Sequence, residues 1–443
     1  MIRSKSHKVL EPIGIILMVW LVQYGASPLA GQQRPLLFTG AHVIPVSQAE
    51  IEDGDLIVQG GKIQSVGPRH SLNVPDEAEV VDMTGKVIMP GLICTHSHIG
   101  GWGGADQSGP IQPETRILDA INVRSSGFKR AQAGGLTCLN IMPGSGHLLS
   151  GQTVYVKMRG GRVIDDLLIT DCDGRTAGGI KMANGTNSQK EAPFPGTRGK
   201  SASLVRQKFL EAQNYREKIR RAGGDPNAMP PRDLGLEAMA EALEGKRIIH
   251  HHVHRHDDIM TVLRLKEEFG FRVVLHHVSE GAKVAREIAA AETPCSIILL
   301  DSPGGKLEAI NLDFTTGAAL VAAGVTVAYH TDDWITDSRW FLRSAALGMR
   351  AGLARKTALK SVTLAGAEML DLQERIGSLD KGKDADFIVL SGDPFSVYTH
   401  VLQTWVEGKK VFDLSDPLDR LYAVGGYGAG HDQKVYLCCQ GDD

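Results

Sequence analysis

From Leu36 to Val81 short apolar runs alternate with polar turns: Leu36–Ile44, Asp55–Val58 and Lys62–Gly67, with Gly60-Gly61 between the last two. Runs of this length broken by Gly-Gly predict β strands and a tight hairpin turn. So few strands cannot close a core alone. The same short-strand character returns at Ala385–Leu390 and Val401–Phe412, so the pattern predicts one small β-sandwich domain built from both ends of the chain. In between, apolar strand-like runs alternate with helical periodicity. The predicted strands are Val87–Cys94, Leu136–Met142, Gly179–Met182, Arg247–His252, Arg272–Val278, Ser296–Leu300 and Val325–Thr331. The predicted helices are Glu114–Ala133, Ser203–Arg220, Asp257–Phe269, Gly281–Ala291, Asn311–Ala323 and Arg355–Met369. Strand–helix alternation favours a parallel sheet covered on both faces. The α/β reading is a (β/α)8 TIM-like barrel whose third strand falls between Thr153 and Ile169, with an open doubly wound sheet as the alternative.

The run Val87-Ile88-Met89-Pro90-Gly91-Leu92-Ile93-Cys94 ends in Thr95-His96-Ser97-His98. Residues two apart on a strand share a face, so His96 and His98 point the same way. An isolated His-x-His is a weak motif. Three other predicted strands, however, end in metal-binding side chains: His250-His251-His252-Val253-His254-Arg255-His256-Asp257-Asp258, His276-His277, and His330-Thr331-Asp332-Asp333. In a barrel the groups that do chemistry come from the C-terminal ends of several strands. Imidazole nitrogens and a carboxylate suit Zn²⁺ or a similar divalent ion.

Composition narrows the partners. At 42% hydrophobic and 22% charged residues, 443 residues describe an ordinary globular chain, and its 51 glycines fit many strand-to-helix turns. A net charge of -3 without a long basic run argues against nucleic acid. The first residues read as an export signal: basic Met1–Lys8, apolar Ile13–Val22, then small residues around Ala26 and Ala30. The apolar run is shorter than the roughly 20 residues of a membrane span, so no stable span is expected, with an uncleaved anchor as the alternative. Cys94, Cys138, Cys172 and Cys295 lie in or near apolar runs, where a free thiol is the default, and Cys438-Cys439 sit in the tail. The predicted organisation is a signal peptide at 1–31, the small β domain at 32–85 and 376–416, a barrel at 86–375 that carries the metal-binding strand ends and a tail at 417–443. The stretch Asn184–Pro231 predicts a loop and helix over the barrel mouth, with a plain surface insertion as the equal alternative.

Pro90-Gly91-Leu92-Ile93-Cys94-Thr95-His96-Ser97-His98, the small β domain drawn from both ends, and Gly377-Ser378-Leu379 with Gly382-Lys383 and Ala385-Asp386 resemble the metal-dependent amidohydrolase superfamily. Within it the chain is similar to the imidazolonepropionase-like and Xaa-Pro dipeptidase-like branch, over about residues 36–413. The resemblance implies one or two divalent ions. His96 and His98 would hold the deeper ion, His252 and His277 supply the fifth- and sixth-strand ligands, and Asp332 contacts metal and shuttles the proton of a metal-activated water. Lys181, carboxylated, would bridge two ions; Lys157 is the competing bridge, and without either the site is mononuclear. His147 and His254 are candidates for contact with substrate, while His250, His251, His256 and His276 fall outside the ligand set and His330 adds bulk beside Asp332. Arg198 or Arg255 would meet a substrate carboxylate, and Tyr215 belongs to the loop-and-helix cover. The activity implied is hydrolysis of a C–N amide bond in a dipeptide or small cyclic amide, outside the cytoplasm, with self-association open. The alternatives are a catalytically inactive metal-binding protein that retains the fold and a structural exported module.

Overall fold

The computed structural model describes residues 34–101, 106–171, 173–299, 306–333 and 335–425. The signal-like segment 1–31, Cys172 and Cys438-Cys439 lie outside them. Cys94, Cys138 and Cys295 are free and buried. Among the described residues no helix is long and apolar enough to cross a membrane.

The chain opens with β1 (Leu36–Val43), β2 (Ile51–Gln59), β3 (Lys62–Pro68), β4 (Glu79–Asp82) and β5 (Val87–Pro90). It continues through β6 (Leu92–Ser97), β7 (Leu136–Ile141), β8 (Leu149–Gln152), β9 (Val154–Lys157), β10 (Ile180–Ala183), β11 (Ile249–Val253), β12 (Val273–His277), β13 (Cys295–Ile297) and β14 (Val327–Tyr329). It ends with β15 (Phe387–Leu390), β16 (Val401–Val406) and β17 (Lys409–Asp413).

Both chain ends do build one unit, but as a single hydrogen-bonded sheet in the order β17-β16-β15-β5-β1-β2-β3, with β4 beside β1, rather than as two sheets of a sandwich. Its aromatic core joins the ends directly. Phe38 meets Phe387 and Trp405 edge-on, with centroids 5.0 and 5.1 Å apart, and Phe387 stacks on Trp405.

The predicted strand Val87–Cys94 is in fact two. β5 pairs with β1 and β15 in the small sheet, whereas β6 pairs with β7. The switch falls at Gly91, whose N–H donates to Asp386 O, while the next N–H, of Leu92, donates to Gly135 O. A Cβ at Gly91 would lie 2.2 Å from the Thr137 side chain. Gly91→Ala is therefore expected to cost about 1–3 kcal/mol through overpacking, read as a lowered denaturation midpoint. An unchanged midpoint would show that Thr137 gives way freely.

Around the site the strands form a six-stranded sheet, β14-β13-β12-β11-β10-β8, and a three-stranded one, β6-β7-β9. Strand pairing does not close them into a barrel. Only Thr153 separates β8 from β9, and at the other gap Asp332 N–H donates to His96 O at 3.0 Å. The third strand starts at β8, before its predicted range, its second half β9 lies inside that range, and it runs antiparallel to both neighbours. The cause is the short connection 142–148, since a parallel neighbour requires a crossover of about a dozen residues.

Helix Arg198–Ala222 begins earlier than its apolar period suggests because Thr197 Oγ1 caps Lys200 N–H, and it stops at Gly223, where φ is 58°. It does not cover the barrel mouth. Its Phe209 stacks on Phe269 and Phe271 at 4.9 Å, which fixes it to the outer helical layer.

Candidate metal centre

The site gathers at the C-terminal ends of β6, β10, β11, β12 and β14. His98 Nδ1 donates to Met142 O at 2.8 Å, which leaves Nε2 as the inward lone pair. That Nε2 is 3.2 Å from His96 Nε2. Asp332 Oδ1 faces both, at 3.2 Å from His96 and 3.1 Å from His98. His277 Nδ1 lies 3.8 Å from the other oxygen, Oδ2. Two of these residues hold backbone that L side chains rarely adopt: φ is 71° at His277 and 47° at Asp332. Such strain, of order 1–3 kcal/mol each, is characteristic of sites whose surroundings hold the residue in place.

The loop carrying Asp332 is held by its neighbour. Asp333, buried, accepts hydrogen bonds from Ser97 at 3.0 Å and from Thr331 and Ser338 at 2.5 Å. Burial pushes its carboxyl up to about 6 against those hydroxyls. Adjacent Asp residues look alike in sequence; only the positive φ at Asp332 turns one inward and the other onto the hydroxyls.

His252 and His254 come in beside His277. His252 packs on His277 with centroids 4.3 Å apart, and His254 stacks on it at 5.0 Å while its Nδ1 is 2.8 Å from Ser279 Oγ. Lys306, which follows no periodic pattern and escaped sequence reasoning, reaches in to His252 Nε2 at 3.1 Å and His254 Nε2 at 3.0 Å. His330 does more than add bulk: its Nε2 is 3.2 Å from His277 Nδ1, its Nδ1 is 2.8 Å from Ser296 Oγ, and it stacks on His96. Beneath the site His276, His250 and Tyr155 form a hydrogen-bonded file, 3.0 and 2.9 Å per step. His251 is buried as well, and His256 pairs with Glu280 at the rim.

Of the two lysines weighed as a bridge, only Lys181 reaches the site. Its Nζ is 3.1 Å from His96 Nε2 and 3.1 Å from Met142 Sδ. Lys157 binds Asp384 at 2.8 Å and Asp386 at 2.5 Å, so it ties β9 to the small sheet. Arg198 is likewise spoken for, by Asp258 and Glu308, and Arg255 by Asp257. Both guanidiniums, open in sequence to a substrate carboxylate, thus carry acidic partners from the chain itself. Tyr215 reaches Glu237 at 3.4 Å, away from the site. His147 is buried against Phe194, and among the described residues no hydrogen bond or ring contact joins it to the cluster. Burial first, then Lys190, takes its imidazole down to about 4.

These donors suit a divalent ion. Burial holds His96, His252, His254 and His277 well below the usual imidazole range, hence neutral, the form that ligates metal. Burial pushes Asp332 the other way, but the hydrogen bond and charge of His98, joined by His330 and Lys181, together outweigh it and keep the carboxylate ionised. Separations of 3.1–3.2 Å among His96, His98 and Asp332 approach the roughly 3.3–3.4 Å edge of a tetrahedron with zinc–nitrogen bonds of about 2.0–2.1 Å. Ligand atoms of His96, His277 and Asp332, and separately of His252, His254 and His277, lie within 4.8 Å of one another. His252 Nδ1 and His277 Nε2 are buried with no hydrogen-bond partner among the described residues. Buried polar atoms left so cost about 1–3 kcal/mol each, and a bound cation would relieve such a cost at any of them that faces it.

Eight strands around a histidine-and-aspartate cluster, counting β8 and β9 as one, define a TIM-like protein with a candidate metal centre at its strand ends. Comparison with known proteins agrees. Residues 224–412 match the model of the amidohydrolase family. An amidohydrolase from Thermotoga maritima superimposes with a TM-score of 0.79 at 34% identity, over 85% of this chain and all of that one. The chain is 28% identical to amidohydrolase tasK of Hapsidospora irregularis over 82% of its own length but spans only 40% of that protein. It is also 28% identical to imidazolonepropionase of Deinococcus radiodurans, over 85% of this chain and 93% of the relative. The chain belongs to the amidohydrolase family, whose members are metal-dependent hydrolases of C–N bonds.

Proposed function

We propose that this protein hydrolyses a C–N amide bond in a small molecule, a dipeptide or a cyclic amide, outside the cytoplasm. The observation that carries the reading is the convergence of His96 Nε2, His98 Nε2 and Asp332 Oδ1 within 3.2 Å. With His277 they would hold one divalent ion, and we take zinc as that ion because its preferred donors are imidazole nitrogen and carboxylate oxygen. When bound, the ion supplies Lewis acidity at the scissile carbonyl and acidifies water.

The chain's own groups do the rest. Asp332, ionised, takes the proton of the attacking water at Oδ2 and returns it to the leaving nitrogen. Lys181, beside His96, is the residue a carbamate bridge would use if a second ion joined. His147, whose ring nitrogens have no hydrogen-bond partner among the described residues, is assigned to the substrate carbonyl, and His254, through the side of the site that Lys306 occupies, to contact with the rest of the substrate. The similarity to a protein named imidazolonepropionase supports the cyclic-amide choice, and the amino-terminal pattern supports export.

The test is metal analysis of purified full-length protein beside a hydrolysis panel of dipeptides and cyclic amides. At least one equivalent of metal is expected, with turnover lost to a chelator and restored by Zn²⁺. Protein that binds no metal and turns over no member of the panel would overturn the proposal.

A further inference from the structure

The second histidine group already holds a cation-like occupant. Lys306 Nζ sits between His252 Nε2 and His254 Nε2 at 3.1 and 3.0 Å. A lysine offers three donors and no acceptor, as a compact point charge. The two imidazoles are arranged to receive it. His254 turns its Nδ1 to Ser279 Oγ, so that Nε2 faces Lys306 as a lone pair, and both rings are buried.

Nor is Lys306 a loose side chain that happens to fall here. Its carbonyl accepts Ala309 N–H at 3.0 Å, closing the short 3-10 turn Leu307–Ala309. Within that turn Glu308 is buried, accepts Thr186 N–H at 2.8 Å and is gripped by Arg198, which also binds Asp258. The turn is thus pinned to the strand end after β10 and, through Arg198, to the helix after β11. The pairing that occupies Arg198 is the same one that aims Lys306.

We propose that Lys306 is a built-in occupant of the outer cation position, defined by His252 and His254 with His277 beside them. A second divalent ion enters only by displacing its Nζ, so the working complement is one ion at His96, His98 and Asp332. This rests on the metal-centre reading above. An ion that must first expel a bound group has its apparent affinity lowered by the fraction of time the position is vacant. In wild-type protein the second ion is therefore expected to bind at least about tenfold more weakly than the first.

Co²⁺ titration of the full-length apoprotein, followed by calorimetry and by the visible absorption of the bound ion, reads this directly. Wild-type protein should show one strong site. Lys306→Met, which keeps the length of the side chain and removes its donors, should show two sites of similar strength, and adding His254→Ala should weaken the second again. Two equally strong sites in wild-type protein would overturn the inference, and so would an unchanged stoichiometry in folded Lys306→Met. If that variant fails to fold, the wild-type titration decides alone. Absence of Co²⁺ from both proteins would instead overturn the metal-centre reading, and this inference with it.

Discussion

Asp332→Asn is expected to lower kcat/KM for the hydrolysed amide by about 10³-fold, within the range that a positioned general base contributes. That factor corresponds to about 4 kcal/mol in the barrier. The asparagine keeps the size of the side chain and one acceptor oxygen, so His96, His98 and His277 should still retain metal. Steady-state kinetics and metal analysis on the same sample test both halves of the expectation. A loss below about tenfold would remove Asp332 from the role of base. Retained metal with lost rate would also argue against an inactive metal-binding protein, in which the carboxylate has no kinetic effect.

Lys157→Met is expected to destabilise the fold by about 3–5 kcal/mol, because removing one partner from a buried ionic group leaves the others uncompensated. Lys157, Asp384 and Asp386 are all buried, and both carboxylates approach the one ammonium, at 2.8 and 2.5 Å. Burial pushes Asp384 up, but the charge and hydrogen bond of Lys157, joined by Lys62 and Arg375, outweigh it and take its carboxyl down to about 2. A carboxylate depressed in the folded state lends stability above its unfolded pKa near 4 and loses it as pH falls toward 2. Asp386, by contrast, is pushed up by burial despite Lys157. Without the lysine both carboxyls rise, so the difference between wild-type and Lys157→Met protein in urea denaturation should be largest near neutral pH and shrink steadily as pH falls toward 2. A difference below about 1 kcal/mol at pH 6 would show that the two aspartates find other partners.

The parts of this molecule that were readable in sequence are those written in local periodicity. Apolar runs ending in His96/His98, His252, His277 and Asp332 placed these candidate ligands at strand ends because side chains alternate faces with period two, and those strands are where the runs put them. What escaped depends on partners far along the chain. Gly91 moves the chain from one sheet to another through its fit against Thr137, which no run of hydrophobicity records. The third strand runs backwards because seven residues cannot make a crossover. Lys157 and Lys181 each sit on a short apolar strand, and only the position of Asp384 and Asp386, more than 200 residues on, sends one to the small sheet and leaves the other at the site. Arg198 looked available to substrate for the same reason, since Glu308 lies 110 residues away.

The place of β5 also bears on how the chain is made. One edge of β5 meets β1 early, but its main partner along Val87–Pro90 is β15, which begins at Phe387. At about 5–20 residues per second a ribosome needs roughly 15–60 s to travel that distance. Throughout that interval an apolar strand edge stands uncovered on the nascent chain, the kind of edge to which other chains add. The enzyme half of the molecule is thus synthesised while the sheet beneath it is open, and its birth, rather than its finished state, is the period in which it most needs protection from its neighbours.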